Sequence, residues 1–416
     1  MLELVFDENV RKESTKESLD ALARNGARLM LQHALEQEVL DYINECRDEK
    51  SGDGKRLVVR NGFSKPRKVL TTAGELEVEA PRVNDKRPDK KFVSTLLPPY
   101  LRKSPKVESL IPALYLSGVS GGKLGPVLEE HFGQSLSPAS IGRLKSKWEA
   151  EFKEFRSSKI TQPIVYIWAD GVHLNIRLGD QKKLALLVVM GVTDKGKKVL
   201  LSVEPGYRES KESWLEVLRL LRDRGMTSPV AAVADGAMGF WSAMRELEHY
   251  KDTMEQRCWV HKIRNVLDKC PKSLQVHVKS QLDEMVAAPT EETSTKIKSS
   301  FVQAYQDKYP KMTDCLEKDW TELMTFYKLP AASWASLRTT NPIESAFSSV
   351  KLRTKTQRGA GSPTAASAMA FKLLKECEKK WRVILGHKEI TILLNGVEFK
   401  DGVPVKAKQL EQEGVA

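Results

Sequence analysis

A multidomain α+β architecture is predicted for this chain, and three observations carry the prediction. The first is length: 416 residues exceed what one hydrophobic core usually organises, so two or three domains are expected. The second is a pair of matching stretches, Ile164-Val165-Tyr166-Ile167-Trp168-Ala169-Asp170-Gly171 and Pro229-Val230-Ala231-Ala232-Val233-Ala234-Asp235-Gly236. Each is an apolar, β-rich run that ends on aspartate and glycine. The third is the span from Lys262 to Lys328, where apolar residues recur at helical spacing throughout.

Composition narrows the partners. Hydrophobic residues make up 41% and charged residues 29% of the chain, the ordinary balance of a soluble globular protein. The formal net charge of +12 is not ordinary, and it favours a polyanion, most simply nucleic acid, over an acidic small molecule. A solvated Lys-rich surface is the competing explanation. Five scattered cysteines, Cys46, Cys258, Cys270, Cys315 and Cys377, argue for a reducing compartment and against a disulfide framework. No apolar run reaches bilayer length and the amino terminus lacks the pattern of a signal peptide, so a soluble cytoplasmic protein with no membrane partner is expected.

In chain order, residues 16 to 46 read as a helix, with Leu31, Leu35, Val39 and Tyr42 on one face. Val69 to Thr71 and Leu76 to Val78 flank Thr72-Ala73-Gly74 and read as a hairpin. Residues 81 to 91, rich in proline and charge, read as an exposed connector. Three short helices follow between Pro105 and Phe155. The last of them opens with Ser137 as N-cap and Pro138 at its first position, buries Ile141, Leu144, Trp148 and Phe152, and presents Arg143, Lys145 and Lys147. That order matches helix-turn-helix geometry, in which the final helix enters the major groove; an ordinary three-helix unit with a basic face is the alternative.

Residues 163 to 260 read as an α/β segment. After the first strand come Leu184 to Val192 and Lys197 to Glu204, joined by the turn Thr193-Asp194-Lys195-Gly196. A helix capped by Ser210 carries Trp214, Val217, Leu218 and Leu221 inward, with Gly225 just past its end. The Asp235 strand, a helix with Phe240, Met244 and Leu247, and a short strand from Gln256 to Val260 complete the set. Three antiparallel strands, a crossover helix, a fourth strand, a helix and a fifth strand give the order of an RNase H-like sheet. Right-handed crossover sets the fourth strand beside the first, and sites in open α/β sheets lie outside the strand carboxyl ends. The helical span after it reads as an insertion. A new helix begins at Asn341-Pro342-Ile343-Glu344, with Asn341 as N-cap, and Leu394-Asn395-Gly396-Val397 reads as a last hairpin.

Asp170, Asp235 and Glu344 are the carboxylates expected to carry chemistry. Two magnesium ions need hard oxygen ligands, which a small set of carboxylates supplies while water and phosphate oxygens complete the octahedra. Such a pair activates a water or 3′-hydroxyl and stabilises the leaving oxygen of an in-line displacement. Mn2+ is expected to substitute for Mg2+. Lys262, Arg264, Arg338, Lys351, Arg353, Lys355 and Arg358 flank these acids and are expected to contact phosphates, against the alternative of a solvated helix face. Cys258-x-x-His261 is half of a zinc signature that Cys270 and His277 could complete, although strand and helix geometry disfavour a closed tetrahedron. Trp334 is read as a core residue, with stacking on a base as the alternative.

Asp170-Gly171, Asp235-Gly236, Cys258-Trp259-Val260-His261-Lys262 and Thr339-Thr340-Asn341-Pro342-Ile343-Glu344-Ser345 together resemble the signature of prokaryotic Mutator-type insertion-sequence transposases. Arg60-Asn61-Gly62-Phe63, Ala80-Pro81-Arg82 and Leu116-Ser117-Gly118-Val119-Ser120 extend the likeness, which covers roughly residues 57 to 385. Ser120-Gly121-Gly122-Lys123 departs from it, since the family usually carries a basic residue directly after Ser-Thr. The resemblance implies that Asp170, Asp235 and Glu344 are a DDE triad, that His261 is an active-site neighbour at the exit of the fifth strand, and that the activity is cleavage and strand transfer at terminal inverted repeats. Double-stranded DNA of the element ends and the target is the implied partner, bound by a homodimer or higher oligomer at the nucleoid. The expected domains are an N-terminal helical region (1 to 56), a β-hairpin with basic linker (57 to 103), a helix-turn-helix-like DNA-binding domain (104 to 158) and a catalytic core in two parts (159 to 261 and 336 to 387). A helical insertion (262 to 335) separates those parts, and a hairpin with tail (388 to 416) ends the chain. A catalytically silent DNA-binding regulator and an RNase H-like nuclease are the alternative functions.

Overall fold

A computed structural model of the chain describes residues 18–117, 119, 121–132, 138–175, 183–206, 209–236, 239–356 and 362–405. The architecture is mixed α+β in two compact units, Met1–Leu144 and Lys145–Ala416.

In the first unit, helix α1 (Leu19–Glu45) is capped by Ser18, whose side chain accepts from the amide of Ala21. Its Leu35 packs with Val69, Leu76, Val78 and Leu97 into a small core. Four strands follow: β1 (Val58–Phe63), β2 (Arg67–Thr71), β3 (Gly74–Val78) and β4 (Pro81–Asp85). The expected β2–β3 hairpin forms, turning at Gly74 with a φ of 104° that glycine tolerates. The expected connector after it does not hold throughout, because Pro81–Asp85 pairs antiparallel with β1. Proline at a strand's first residue on an edge costs no ladder bond, and Asp85 turns inward to accept from Tyr42 Oη at 2.7 Å and pair with Arg87 at 2.7 Å. Helices α2 (Pro105–Leu116) and α3 (Gly121–Phe132) come next. Gly121 and Gly122, expected in a break, open α3. Helix α4 (Pro138–Ser157) has the predicted proline at its start; Ser137 lies outside the described residues.

The second unit is built on a five-stranded sheet of β5 (Ile164–Asn175), β6 (Lys183–Thr193), β7 (Lys198–Gly206), β8 (Ala231–Ala234) and β9 (Met254–Arg257), in the order β7-β6-β5-β8-β9. β5, β6 and β7 are antiparallel, whereas β8 and β9 run parallel to β5. This places the fourth strand beside the first, as the crossover argument required. Helices α5 (Lys211–Asp223) and α6 (Phe240–Glu246) cover one face, where Trp214 meets Phe240 edge to face within a core that includes Ile167, Leu187, Val189 and Ala232. The fifth strand begins and ends earlier than expected, because Cys258 caps helix α7 (Trp259–Leu267).

Helices α8 (Gln275–Ala287), α9 (Glu291–Tyr305), α10 (Pro310–Glu317) and α11 (Trp320–Leu323) gather a second core around Val278, Leu282, Phe301, Leu316 and Phe326. Helix α12 (Trp334–Leu337) leads into α13 (Asn341–Thr356), which packs against β5, and α14 (Pro363–Glu378) packs against β7. The last predicted hairpin is instead the end of helix α15 (Ile390–Leu394): Asn395 caps it and Gly396 takes a φ of 79°. An Asn-Gly pair serves a helix C-terminus as well as a hairpin, because both need the left-handed region. The hairpin lies just beyond, where β10 (Phe399–Lys400) and β11 (Val403–Pro404) turn at Asp401 and Gly402. No helix among the described residues is long and apolar enough to cross a membrane.

Candidate active site

Parallel pairing between β5 and β8 runs from Tyr166 opposite Ala231 to Ala169 opposite Ala234, and the next residue on each chain is a predicted aspartate. Asp170 and Asp235 therefore stand side by side at the carboxyl edge of the sheet. β5 does not stop at Asp170, contrary to expectation; it continues to Asn175 against β6, because the antiparallel pair is longer than the parallel one. Each aspartate accepts from the amide of the glycine after it, Gly171 at 2.8 Å and Gly236.

Glu344 reaches this edge on the first turn of α13. Trp168, wholly buried in β5, donates its indole N–H to the carbonyls of Ser336 and Thr339, each at 3.2 Å, and so ties the approach to α13 onto the sheet. The amide of Trp259 adds a bond to the Arg338 carbonyl at 3.0 Å. Thr340, not Asn341, precedes the first turn, since its carbonyl accepts from the amide of Glu344 at 3.0 Å. Thr340 Oγ1 lies 2.5 Å from Glu344 Oε1, 3.2 Å from Cys258 Sγ and 3.3 Å from His261 Nδ1. Its single proton serves the nearest acceptor, the carboxylate, and holds that side chain in place.

His261 sits between the acids, on the first turn of α7 and not at a strand exit. Its Nε2 is 3.9 Å from Asp235 Oδ2 and its Nδ1 is 3.8 Å from Glu344 Oε1. Contact with the Cys258 sulfur, against the opposing effect of burial and with help from the two carboxylates, lifts its pKa to about 9. The imidazole is a cation at neutral pH and offsets part of the acidic charge. Burial raises Asp170 to about 7 despite the bond from Gly171, with Glu344 and Glu209 adding to the rise and His261 opposing it.

Glu209 was not expected here. It stands just before α5, where only Ser210 drew notice as the cap. Its Cδ is 2.6 Å from the position that a Cβ on Gly171 would take, with Oε1 nearer still, so the missing side chain of Gly171 is what admits it. Burial raises this carboxyl too. The amide of Gly239 donates to the Glu209 carbonyl at 3.1 Å and fixes the loop. A glycine following a strand-end aspartate was the available sequence signal, but nothing in the chain says which side chain fills the space it leaves.

Among the described residues, Cys258, His261 and Glu344 offer ligand atoms within 4.8 Å of one another. Cys270 and His277 do not complete this group: Cys270 packs in the helical core, and the buried Cys258 Sγ accepts from the amide of Thr340 at 3.3 Å.

The predicted phosphate contacts divide. Arg143, Lys145 and Lys147 on α4, Arg264 on α7 and Lys351 on α13 are exposed. Lys262 is buried, donating to the Cys315 carbonyl at 2.7 Å and pairing with Asp319. Arg338 donates to the Val286 carbonyl at 2.8 Å, and Arg353 is 1% exposed. Lys262 and Arg353, both buried, are corrections to the expected track; Arg338 is half-buried. Residues two apart on a helix point about 200° from one another, so Lys351 and Arg353 cannot share a face. The side chain of Lys355 and all of Arg358 lie outside the described residues. Trp334 is half-buried and packs on the helical core, set edge-on against Phe326 and Tyr327 with its N–H on the Leu329 carbonyl at 2.8 Å.

Comparison with known proteins gives the family. The family model described as "Transposase, Mutator family" matches residues 3–383. The transposase of insertion sequence element IS6120 from Mycolicibacterium smegmatis is 41% identical over 299 residues, covering 71% of this chain and 92% of that protein. The transposase of element IST2 from Acidithiobacillus ferrooxidans is 41% identical over 272 residues, 65% of this chain and 91% of its own. The transposase of IS256 in transposon Tn4001 from Staphylococcus aureus is 23% identical over 366 residues, 87% of this chain and 91% of its own. With the matched model spanning nearly the whole sequence and the acidic centre assembled at the sheet edge, the chain belongs to the Mutator family of transposases.

Proposed function

We propose that Asp170, Asp235 and Glu344 are the DDE triad of a transposase that binds the terminal inverted repeats of an insertion sequence and performs metal-dependent DNA cleavage and strand transfer. The observation that carries this reading is the register of β5 against β8, which sets Asp170 beside Asp235, with Glu344 reaching them across His261. The donor set suits a hard divalent cation, since oxygen ligands dominate and Glu209 adds a fourth carboxylate beside Gly171. Burial raises Asp170, and the nearby Glu344 and Glu209 add to the rise; a cation favours the ionised form and offsets that penalty. When bound there, Mg2+ or Mn2+ supplies the Lewis acidity that stabilises the oxygens of an in-line displacement at phosphorus.

The chain's own groups do the positioning. Thr340 orients Glu344, Gly171 and Gly236 orient the two aspartates, and His261 places positive charge near the reacting phosphate. In this reading the sheet is an RNase H-like core formed by residues 159 to 261 and 336 to 387, with the helices of residues 262 to 335 as an insertion. The helix-turn-helix-like segment from 104 to 158 recognises the element ends through Arg143, Lys145 and Lys147. A dimer or larger oligomer holds two ends together.

The test uses labelled element-end DNA with magnesium. Asp235→Asn is expected to abolish nicking and joining while leaving DNA binding within about twofold of the parent. Undiminished cleavage by that variant overturns the assignment. Binding by the parent protein without cleavage on any substrate points to a silent regulator, and cleavage of unrelated DNA without joining points to a nuclease.

A further inference from the structure

Beside Asp235 the sheet edge opens into a cleft of about 450 Å³ within the second unit, walled by α7 and α10. Arg257, the last residue of β9, lines it. The guanidinium lies against the glycine that follows the catalytic aspartate: Cζ is 3.1 Å from where a Cβ of Gly236 would stand, and Nη1 is closer. It also covers the Trp241 ring at 5.5 Å. Among the described residues its ion pair is a long one, from Nη2 to Asp319 Oδ1 at 3.5 Å. Nε and Nη1 are buried with no hydrogen-bond acceptor among the described residues. A guanidinium has no means of losing its charge, so one that lines a cleft with a single long ion pair attracts an anion there.

In the rest of the lining lysines outnumber aspartates, Lys262, Lys269, Lys311 and Lys318 against Asp235, Asp314 and Asp319. Lys262 is committed to Asp319, which leaves Lys269, Lys311 and Lys318 exposed around the mouth, facing Asp314. A pocket of this volume falls in the range of about 300–1,000 Å³ that takes single small molecules, which is room for a short stretch of one strand. No aromatic ring lines the cleft among the described residues, and Arg257 covers the ring of Trp241. Recognition here therefore goes to the sugar-phosphate backbone and not to bases.

We propose that this cleft binds a single strand of DNA by its phosphates, next to the bond cut at the acidic centre, with Arg257 as the innermost phosphate ligand and Lys311 and Lys318 at the mouth. The proposal rests on the catalytic reading above and adds a strand path to it, on the α7–α10 side of Asp235 and away from α13.

The experiment measures binding of the full-length protein to a fluorescein-labelled single-stranded oligonucleotide by anisotropy, in EDTA so that no chemistry intervenes. The double substitution Lys311→Glu/Lys318→Glu is expected to weaken binding at least about tenfold. It should also flatten the slope of log affinity against log salt by about 1.4, or ~0.7 for each phosphate that is no longer neutralised. Lys379→Glu/Lys380→Glu, a charge-matched pair on the exposed surface after α14, is expected to stay within about twofold. Arg257→Lys keeps the charge but gives up the planar fork, and should weaken binding several-fold with its thermal midpoint checked alongside; if that variant does not fold, the exposed lysine pair still decides the matter. Unchanged affinity in the Lys311/Lys318 variant, or an equal loss in the control pair, overturns the proposal. Asp235→Asn separates the two readings: normal cleavage by it removes the catalytic assignment whatever the cleft does, whereas normal binding by the lysine variant removes the cleft alone.

Discussion

Gly171→Ala tests whether Glu209 belongs to the acidic centre. A methyl group at that position would stand 2.6 Å from Cδ and 2.9 Å from Cγ of Glu209, and closer still to Oε1, distances that no packed carbon tolerates. Gly171 is not among the residues with positive φ, so alanine fits the backbone and the clash falls on a flexible side chain that can swing away. The folding cost is then expected at or below about 1 kcal/mol, the low end for an added methylene in a packed site. The functional cost is larger, because losing a group that supports metal ligands typically weakens metal affinity by about 10–100-fold. Isothermal titration with Mn2+ and a strand-cleavage assay would measure both. Glu209→Ala should reproduce the loss, and Gly171→Ala/Glu209→Ala should be no worse than Glu209→Ala, since the atoms that crowd the methyl group are then gone. Additive losses in the double variant, or normal Mn2+ affinity in Gly171→Ala, would refute the reasoning.

Three further outcomes are expected. Trp334→Ala removes a ring packed against Phe326 and Tyr327, and chemical denaturation should show destabilisation of about 3–5 kcal/mol; retained stability with lost DNA affinity would restore the base-stacking role. The hydrogen bonds and charge of Arg87 hold Asp85 well below the ordinary carboxylate range, so its folded pKa lies under its unfolded one. The stability it contributes is complete above about pH 5 and disappears as pH falls through and below about 4; Asp85→Asn should flatten that part of the acid-denaturation profile, and an unaltered profile would count against the pair. Asp170, raised by burial to about 7, must lose its proton to ligate a cation. Mn2+ affinity should therefore rise between about pH 6 and about pH 8, and Asp170→Asn should remove that rise; a flat profile in the parent protein would show that another group controls binding.

The local patterns that depend on neighbours in sequence were legible directly. Apolar runs named β5 and β8, Ser210 and Gly225 bracketed α5, and Thr193 to Gly196 marked the β6–β7 turn. Short-range signals also misled where one motif serves two geometries, as with Asn395-Gly396, or where partner choice decided the outcome, as with Pro81–Asp85. The three carboxylates were visible in the sequence because each sits beside a strong local signal: a strand end with glycine, or a proline at a helix start.

Which charges face solvent and which face one another was decided by tertiary packing alone. Lys262 and Arg353 look like Arg264 and Lys351 in the sequence, yet the first two are buried and the other two exposed. Glu209 enters the site only because Gly171, far from it in the chain, leaves room. Arg257 lies against Gly236 only because β9 runs beside β8. Periodicity along a chain assigns faces to an element, but the meaning of a charge depends on what the opposite face brings to it, and that is set by long-range packing that no local pattern encodes.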